Sequence, residues 1–444
     1  MSKCVCQNRE AINVGVIGAG TVGGGALTVM ARNADVIATR ALPVRVKWLA
    51  EKDLTRGRSV LDELGLSQTR LTDNWRELID DPDTDIIVEL IGGVRLAYDV
   101  LAAALSAGKS AVTANKDLMA LHGGELLAIA HQHQTDLFFE AAVAGGIPII
   151  TSLKENLTAN HFREIMGIVN GTTNFILSRM SETGAEFADA LAEAQALGYA
   201  EADPAADVSG LDAARKMAIL ASICYNSRVT VDQVYHEGVT EISSWDMTYA
   251  HDFGYEIKMI GRCGLDEGRI DVRVHPLLIP NKHPLAAVRD SYNAIYVDCD
   301  ALEKAMFYGR GAGALPTGSA VAGDVVSAAR NIVNNCKGRV GCTCHLSLPL
   351  LPIEETVSKY FLRIVAFDQV GVFAELASAL ARSGVSINTL LQEREIDGGK
   401  AEIVIITHPA RHGDLLAALE AIRALPMVAE VGRYIRCANS EVRG

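Results

Sequence analysis

Ile12-Asn-Val-Gly-Val-Ile17, followed directly by Gly18-Ala-Gly-Thr-Val-Gly23, decides the fold of the N-terminal part of this 444-residue chain. The first six residues are rich in β-branched apolar side chains, which is typical of a buried parallel strand. The next six fit the spacing G-x-G-x-x-G, and a helical stretch continues to about Arg32. A strand, a tight glycine turn and a helix in this order predict a turn that binds a dinucleotide. The residues predicted to bind it are Gly18, Ala19, Gly20, Thr21, Val22 and Gly23.

Strands alternate with helices beyond this turn. We predict strands at 44–50, 85–91, 110–113 and 136–140, with helices at 96–107 and 124–134 among them. Such alternation predicts a parallel, doubly wound sheet. Residues 1–146 are therefore assigned to a Rossmann-type dinucleotide-binding domain.

The pattern changes after this domain. Helical stretches mix with strand-like runs over 147–335, which predicts a central α+β domain, and residues 336–357 are predicted to form a linker. Residues 358–437 follow the order strand, helix, strand, strand, helix, strand, which predicts a small ferredoxin-like domain. The fold class is therefore α/β with three domains.

Charge and composition exclude several classes of protein. The chain has 41 Lys+Arg and 54 Asp+Glu, and its net charge of −13 argues against nucleic acid or an anionic membrane as a partner. No apolar run reaches the roughly 18 residues of a membrane span, and the first residues lack the apolar core of a secretion signal. We therefore expect a cytoplasmic protein that acts on a small molecule.

The nine cysteines are expected to be mostly reduced thiols in such a protein. Two clusters stand out: Cys4 with Cys6, and Cys336 with Cys342, Cys344 and His345. The second cluster contains ligand types that zinc prefers, but Cys-x-Cys is tighter than the usual spacing of zinc ligands. Exposed linker thiols are the favoured interpretation, and the role of both clusters stays open.

The end of the second predicted strand contains opposing signals for the cofactor. Glu51 is placed to accept a hydrogen bond from the ribose 2′-OH of NAD, whereas Lys52, Arg56 and Arg58 suit the 2′-phosphate of NADP. Three cations within one short segment favour NADP, with Lys52 as a predicted contact. Lys52 as a solvated loop charge, and NAD as the cofactor, remain the alternatives.

Four polar segments are candidates for the reaction site: 113–117, 140–148, 170–174 and 201–216. Lys116 directly follows a predicted strand, at the sheet edge where ligands bind in such folds. Asp212 and Lys216 are four residues apart on a predicted helix, so a carboxylate meets a lysine that can exchange a proton with a substrate. An ordinary surface ion pair is the alternative. The acidic Glu201 and Asp207 lie just upstream, where they can hold a substrate ammonium group.

Together these segments resemble the homoserine dehydrogenase family over essentially the whole chain. The motifs that resemble it are the glycine turn, Thr113-Ala-Asn-Lys116, Gly167-Ile-Val-Asn-Gly-Thr-Thr-Asn174, Gly198-Tyr-Ala-Glu-Ala-Asp-Pro204 with the residues up to Lys216, and Phe307-Tyr-Gly-Arg-Gly-Ala-Gly313. The resemblance implies reversible reduction of L-aspartate 4-semialdehyde to L-homoserine with NADPH or NADH, in threonine, methionine and isoleucine biosynthesis. It also implies that the central domain binds substrate and forms a dimer.

The resemblance also implies roles for single residues. Lys216 corresponds to the proton donor and acceptor, Asp212 to its orienting partner, and Lys116 to a lysine that reaches cofactor and substrate. Glu201 corresponds to a ligand of the substrate amino group. A monovalent cation, Na⁺ above all, is implied at Glu140, Val143, Gly145 and Ile147. Gly311 belongs to a late loop that folds against the cofactor, although Arg310 stands where proline is usual.

The C-terminal domain resembles an ACT domain, a regulatory module that binds amino acids. Asp368, Gly371 and Asn388 match its pattern, whereas Val370 stands where proline is usual. The resemblance implies feedback by threonine and a homodimer or homotetramer. A domain that serves assembly alone is the alternative, and a catalytically silent amino-acid sensor with the same fold is the alternative for the whole chain.

Overall fold

The computed structural model describes residues 10–396 and 398–438. The chain forms two compact units. The first contains the described residues up to Ile165, together with Arg215–Val234 and Asn293–Leu348. The second contains Met166–Ala214, Tyr235–Tyr292 and the described residues from Pro349 onward. These bounds cut across the predicted domain bounds, because segments distant in sequence return to each unit. Cys4 and Cys6 lie outside the described residues.

The N-terminal part forms one six-stranded parallel sheet, as the alternation of strands and helices predicts. Its strands are β1 (Ile12–Ile17), β2 (Val44–Ala50), β3 (Arg70–Thr72), β4 (Ile86–Glu89), β5 (Ser110–Thr113) and β6 (Leu137–Phe138). Its helices are α1 (Thr21–Arg32), α2 (Ala34–Arg40), α3 (Leu54–Glu63), α4 (Arg76–Asp80), α5 (Arg95–Ser106) and α6 (Lys116–Gln132). The strand order β3-β2-β1-β4-β5-β6 is that of a Rossmann fold.

The middle of the chain supplies elements to both units. Its helices are α7 (Gly171–Thr183), α8 (Phe187–Ala196), α9 (Ala205–Val208), α10 (Leu211–Cys224), α11 (Ser244–Asp252) and α12 (Ala314–Val333). Its strands are β7 (Phe162–Ile168), β8 (Tyr235–His236), β9 (Tyr255–Asp266), β10 (Arg269–Pro280), β11 (Tyr292–Cys299) and β12 (Lys304–Arg310). The predicted mixture of helices and strands in this region is confirmed.

The C-terminal part has the predicted ferredoxin-like topology. Its elements are β13 (Val357–Phe367), α13 (Val372–Arg382), β14 (Ile387–Ile396), β15 (Lys400–Thr407), β16 (Ala410–Arg411), α14 (His412–Arg423), β17 (Val428–Val431) and β18 (Ile435–Cys437). Strands β17, β13, β15 and β14 are neighbours in that order, with antiparallel pairing throughout. Strand β18 pairs with both β13 and β10, so the sheet continues to β9 within the second unit.

Two of the differences from the predicted limits concern a candidate site residue. The helix predicted at 124–134 starts at Lys116, because Asn115 caps it by accepting a hydrogen bond from the N–H of Leu118 (3.0 Å). The strand predicted at 136–140 is only Leu137–Phe138, because a 3₁₀ turn starts at Glu140. Both differences move a candidate site residue to the start of a helical turn.

The core of the first unit is completed by a helix from late in the chain. Ile12, Val14 and Val16 of β1 are fully buried in one apolar cluster with residues of α1 and α12. The two helices are in backbone contact: a Cβ atom at Gly25 would overlap the backbone of Ala314. Glycine is therefore required at this position of α1.

The second unit buries a network of charges and rings. Arg436 of β18 is 1% exposed and donates to Glu237 (2.7 Å), which also accepts from Tyr434 (3.1 Å). His412 lies against Arg436, whose Nη2 is 3.4 Å from both ring nitrogens. Burial and the charge of Arg436 lower the pKa of His412 to about 4.

Across the part of the chain that the structure describes, every helix is too short or too polar to span a lipid bilayer.

Candidate active site

The glycine turn has the geometry that its spacing predicts. Gly18 has φ of +97°, and a Cβ there would lie 2.7 Å from the carbonyl oxygen of Leu90. Gly20 caps α1, and the space around its Cα is open within 4 Å, which leaves room for a ligand to approach the backbone. A Cβ at Gly23 would overlap the carbonyl of Gly18. The turn therefore presents the N-terminus of a twelve-residue helix to an anion.

The residues that follow β2 differ in how they are held. Glu51 accepts hydrogen bonds from the backbone N–H of Ala19 (2.7 Å) and of Asp53 (3.3 Å), so its carboxylate lies against the glycine turn. Lys52, Arg56 and Arg58 are exposed. The acidic residue thus stabilises the turn, while the three cations face solvent.

A buried acid lies at the carboxyl end of β4, next to the start of α6. Glu89 is fully buried and accepts from the Thr113 hydroxyl (2.7 Å) and from the N–H of Ile91 (2.8 Å). Burial raises the pKa of Glu89. Lys116, half-buried, is the first residue of α6. Glu89 was not among the predicted site residues. An acidic residue within the apolar strand predicted at 85–91 is the sequence feature that could have identified it.

Within the first unit, an ion pair joins α6 to the part of α10 that begins at Arg215, next to the two candidate lysines. Asp117 and Arg215 are 2.9 Å apart, and they are the sequence neighbours of Lys116 and Lys216. Lys216 is 9% exposed. This ion pair fixes the starts of two helices that each carry one of the lysines.

Asn170 organises the acidic side chains of the second unit. Its amide nitrogen donates to Asp207 (2.6 Å) and to Asp212 (2.8 Å), while its amide oxygen accepts from the N–H of Thr173 (2.9 Å) and so caps α7. Asp212 is 4% exposed and stands one helical turn before Lys216 on α10. Asp207 is half-buried. The structure thus brings Asp207 and Asp212 to one amide, which the sequence interpretation did not identify.

Glu201 is exposed, and its backbone carbonyl accepts a hydrogen bond from the side-chain amide of Gln195 (3.1 Å).

The segment 140–147 is a buried turn with one acid. The carboxylate of Glu140 accepts from the N–H groups of Ile150 (2.6 Å) and Thr151 (2.8 Å). Its own N–H donates to Asp324 (2.9 Å). Burial, and then the charge of Glu140, raise the pKa of Asp324. Val143, Gly145 and Ile147 are all buried in the same turn.

The late glycine loop packs on this turn within the first unit. The Arg310 carbonyl accepts from the N–H of Gly146 (3.1 Å), and a Cβ at Gly145 would overlap the Gly311 carbonyl. A Cβ at Gly311 would in turn overlap the side chain of Asn293. Arg310 itself is exposed, so an arginine is accommodated at this position without disturbing the turn.

The ACT-like segment contains a groove at its strand-to-helix turn. The groove has a volume of about 300 Å³, and Asp368, Val370 and Gly371 are among its lining residues. Asn388 is exposed and lies outside that lining. Asp368 and Gly371 are therefore placed together, and Asn388 is not part of the same wall.

The cysteine cluster is not arranged for zinc. Within residues 10–396 and 398–438, no three His, Cys, Asp or Glu side chains converge to hold a metal ion. The favoured interpretation, thiols in a linker, agrees with the exposed or half-exposed positions of Cys336, Cys342 and Cys344.

Comparison with known families covers all three parts of the chain. The model of the homoserine dehydrogenase family matches residues 148–326, the model of the homoserine dehydrogenase NAD-binding domain matches 18–140, and the ACT domain model matches 360–426. A homoserine dehydrogenase of Corynebacterium glutamicum is 46% identical over 434 residues, which cover 96% of this chain and 96% of that protein.

Two solved structures extend the comparison to three dimensions. A homoserine dehydrogenase from Thiobacillus denitrificans has a TM-score of 0.90 and 41% identity, and the match covers 97% of this chain and 98% of that chain. A hyperthermophilic archaeal homoserine dehydrogenase mutant in complex with NADPH has a TM-score of 0.60 and 28% identity, over 72% of this chain and 97% of that one.

The likeness extends over nearly the full length of both the relative and the first of these structures. It includes the glycine turn, the segment around Lys216 and the C-terminal ferredoxin-like part. The chain therefore belongs to the homoserine dehydrogenase family and is an NAD(P)-dependent oxidoreductase.

Proposed function

We propose that Lys216 exchanges a proton with the substrate oxygen when this enzyme interconverts L-aspartate 4-semialdehyde and L-homoserine. The observation that carries the proposal is the buried position of Lys216 one turn after Asp212 on α10. A carboxylate at that spacing lies on the same face of the helix and can orient the lysine. Asn170 holds Asp212 in place and is therefore a positioning residue.

The reaction in the reducing direction needs positive charge at the aldehyde oxygen. The glycine turn would hold a nicotinamide cofactor, which would supply hydride chemistry at this site. Lys216 donates a proton to the oxygen as negative charge develops there, and the charge of Lys116 stabilises the same oxygen. In the oxidising direction Lys216 accepts the proton of the homoserine hydroxyl.

The amino group of the substrate is a cation and calls for an acidic partner. We propose Asp207 as the principal one, because the amide of Asn170 fixes its carboxylate at 2.6 Å. Glu201 is exposed, so it is proposed as a second contact that acts once substrate is bound.

Initial rates of homoserine oxidation test the role of Lys216. Lys216→Ala is expected to lower kcat on the order of 1000-fold, the usual size of a general acid–base contribution. Lys304→Ala, which removes an exposed lysine, is the matched control and is expected to keep full turnover. A Lys216→Ala variant with more than a tenth of the wild-type kcat would overturn the assignment. A folded wild-type protein without turnover would instead support the silent-sensor alternative.

NADP is proposed as the preferred cofactor. Glu51 is engaged with the glycine turn, while Lys52, Arg56 and Arg58 are exposed and able to meet a 2′-phosphate. Lys52→Gln is expected to raise the KM for NADP roughly 10-fold and to leave the KM for NAD unchanged, since one charged hydrogen bond contributes about 1.5–3 kcal/mol. Lys282→Gln, another exposed lysine, serves as the control.

A monovalent cation, Na⁺ above all, is proposed at the turn formed by Glu140, Val143, Gly145 and Ile147. Oxygen ligands suit such a cation, and the turn combines one buried carboxylate with backbone carbonyls. Ala144 and Gly145 both have positive φ (+55° and +50°), which bends the chain sharply beside Glu140. A cation there would also offset the electrostatic repulsion between the carboxylates of Glu140 and Asp324.

Thermal unfolding tests the cation. Replacing choline chloride with NaCl at equal ionic strength is expected to raise the Tm of the wild type but not the Tm of Glu140→Gln. Glu303→Gln, an exposed acid, is expected to keep the response of the wild type. Equal Tm values of the wild type in the two salts would overturn the proposal.

Threonine is proposed as the effector of the ACT domain, bound in the groove beside Asp368 and Gly371. Millimolar threonine is expected to lower the rate of the wild type, and Asp368→Ala is expected to remove that response without a change in the basal rate. We further propose a homodimer or homotetramer in the cytoplasm. The exposed Val370 and Phe373 of the ACT domain support association, and sedimentation tests it.

A further inference from the structure

Cys342 and Cys344 lie at one end of a cavity that the proposed reaction does not use. The cavity belongs to the first unit and has a volume of about 70 Å³, enough for a molecule the size of a peroxide. Its walls come from α6 and α10, with Lys154, Arg228 and the segment 342–344 at one end.

The two cysteines lie on one tight turn. The N–H of His345 donates to the Thr343 carbonyl (2.9 Å), which bends the chain at Cys344. The sulfur of Cys344 lies 3.5 Å from the Ser222 carbonyl of α10. Cys342 and Cys344 are separated by one residue and both line the same cavity, so a local rearrangement of this turn can bring their sulfur atoms into bonding distance.

The surroundings distinguish the two thiols chemically. The hydrogen bonds from Cys344, together with the charges of Lys154 and Arg228, lower the pKa of Cys342 to about 6. The hydrogen bond to Cys342 and burial raise the pKa of Cys344. Cys342 is exposed and Cys344 is half-buried. One sulfur is thus an accessible thiolate at neutral pH, and the other stays protonated beside it.

We propose that Cys342 and Cys344 form a peroxide-reactive dithiol, in which Cys342 is the attacking thiolate and Cys344 is the resolving thiol. Lys154 is a positioning residue of this site. Its ammonium group lies 5.4 Å from the centre of the Phe139 ring and is held within the cavity wall.

The oxidant is a hydroperoxide, and the reaction has two steps. The Cys342 sulfur attacks one peroxide oxygen, so that an S–O bond forms, the O–O bond breaks and the other oxygen leaves as an alcohol or water after taking a proton. The Cys344 sulfur then attacks the Cys342 sulfur, an S–S bond forms, and the hydroxyl leaves as water with the Cys344 proton. Two thiols are oxidised to one disulfide, and one hydroperoxide is reduced.

Peptide mass mapping of the full-length protein tests the site after reduction and brief exposure to hydrogen peroxide. The wild type is expected to lose two hydrogens in the peptide that contains residues 342–344. Cys344→Ser is expected to stop at a sulfenic acid on Cys342 that dimedone traps, and Cys342→Ser is expected to leave Cys344 as a thiol. Cys336→Ser, which changes a neighbouring linker cysteine, is the matched control and is expected to react as the wild type does.

A second measurement does not depend on disulfide formation. The rate of Cys342 alkylation is expected to reach half its maximum near pH 6, and Lys154→Met is expected to move that midpoint upward. Slow, uniform oxidation of all cysteines, or a disulfide that uses Cys336, would overturn the proposal. An alkylation midpoint near the ordinary value of about 8.5 would overturn it as well.

Discussion

Two turns of this molecule connect a buried strand to a helix through a glycine with positive φ. The first starts at Gly18 between β1 and α1, and the second ends at Gly371 between β13 and α13. The φ values, +97° for Gly18 and +95° for Gly371, are nearly equal. Cβ atoms added at Gly18, or at Gly23 in the first turn of α1, would overlap backbone, whereas the space around Gly371 is open within 4 Å.

The difference shows that a glycine motif alone does not reveal what a turn does. In the first turn, glycine is needed at several positions because helix, strand and turn are in direct contact, which holds the N–H groups rigid for a phosphate. In the second turn, glycine is favoured only because the residue has a positive φ, and its neighbour Val370 is fully exposed. A rigid turn suits a cofactor of fixed shape, and an open turn suits a surface that another molecule covers.

The largest expected effect comes from filling the closely packed turn. Gly23→Val is expected to destabilise the protein by about 3 kcal/mol or more and to raise the KM for the cofactor at least 10-fold, because the side chain meets the Gly18 carbonyl. Gly24→Ala is the matched control: the nearest atom to its Cβ is 3.9 Å away, so an increase in stability of about 0.5–1 kcal/mol is expected. Urea unfolding and cofactor titration measure both, and equal effects of the two substitutions would refute the packing argument.

The buried charges around His412 are expected to make the second unit sensitive to acid. The folded pKa of His412, about 4, lies below its ordinary value of 6.5, so the unfolded state binds the proton first as pH falls. Stability is expected to decrease from pH 6.5 to pH 4 by up to about 3 kcal/mol from this group. His412→Gln should reduce that dependence, and His408→Gln, which changes an exposed histidine, should not. Parallel stability curves for the wild type and His412→Gln would contradict the prediction.

A smaller effect is expected at the open turn itself. Gly371→Ala places a Cβ on a residue with φ of +95°, which costs about 1–2 kcal/mol of backbone strain although no neighbour is near. Turnover and the KM for the cofactor should stay at the wild-type values. A loss of cofactor binding in this variant would remove the contrast between the two turns.

The smallest effect is expected for Val370→Ser. Since Val370 is fully exposed, the free energy of unfolding should change by no more than about 0.5 kcal/mol in dilute protein. Chemical denaturation at several protein concentrations measures it. A loss that grows with protein concentration would show that another molecule covers Val370 in solution.

Much of the fold could be predicted because most elements are marked locally. The strands at 44–50 and 110–113 have the predicted limits, since Pro43 and Gly108 end the segments that precede them. The start of α6 could not be predicted as well, because Gly123 and Gly124 suggest a break. In the structure a Cβ at Gly123 would lie 3.0 Å from the methyl group of Met119, and a Cβ at Gly124 would meet the guanidinium of Arg228, so each glycine lies against a side chain.

The candidate site was predictable only in part. Lys116, Lys216 and the glycine turn follow from local motifs, and the family resemblance adds their roles. The position of Asn170 between Asp207 and Asp212 depends on hydrogen bonds across 37 and 42 residues, which no local pattern records. The hydrogen bond between Glu51 and the glycine turn has the same origin, because it joins residues 32 positions apart.

The contact between α1 and α12 has a consequence for how the protein is made. The fully buried strand β1 is among the first described segments to leave the ribosome, yet α12, which covers it, is synthesised after most of the chain. Contacts between distant segments form slowly because a long loop must close first. During synthesis, the apolar face of α1 is therefore exposed long before its partner exists, and we expect this stage to be the one at which the nascent chain most needs a chaperone.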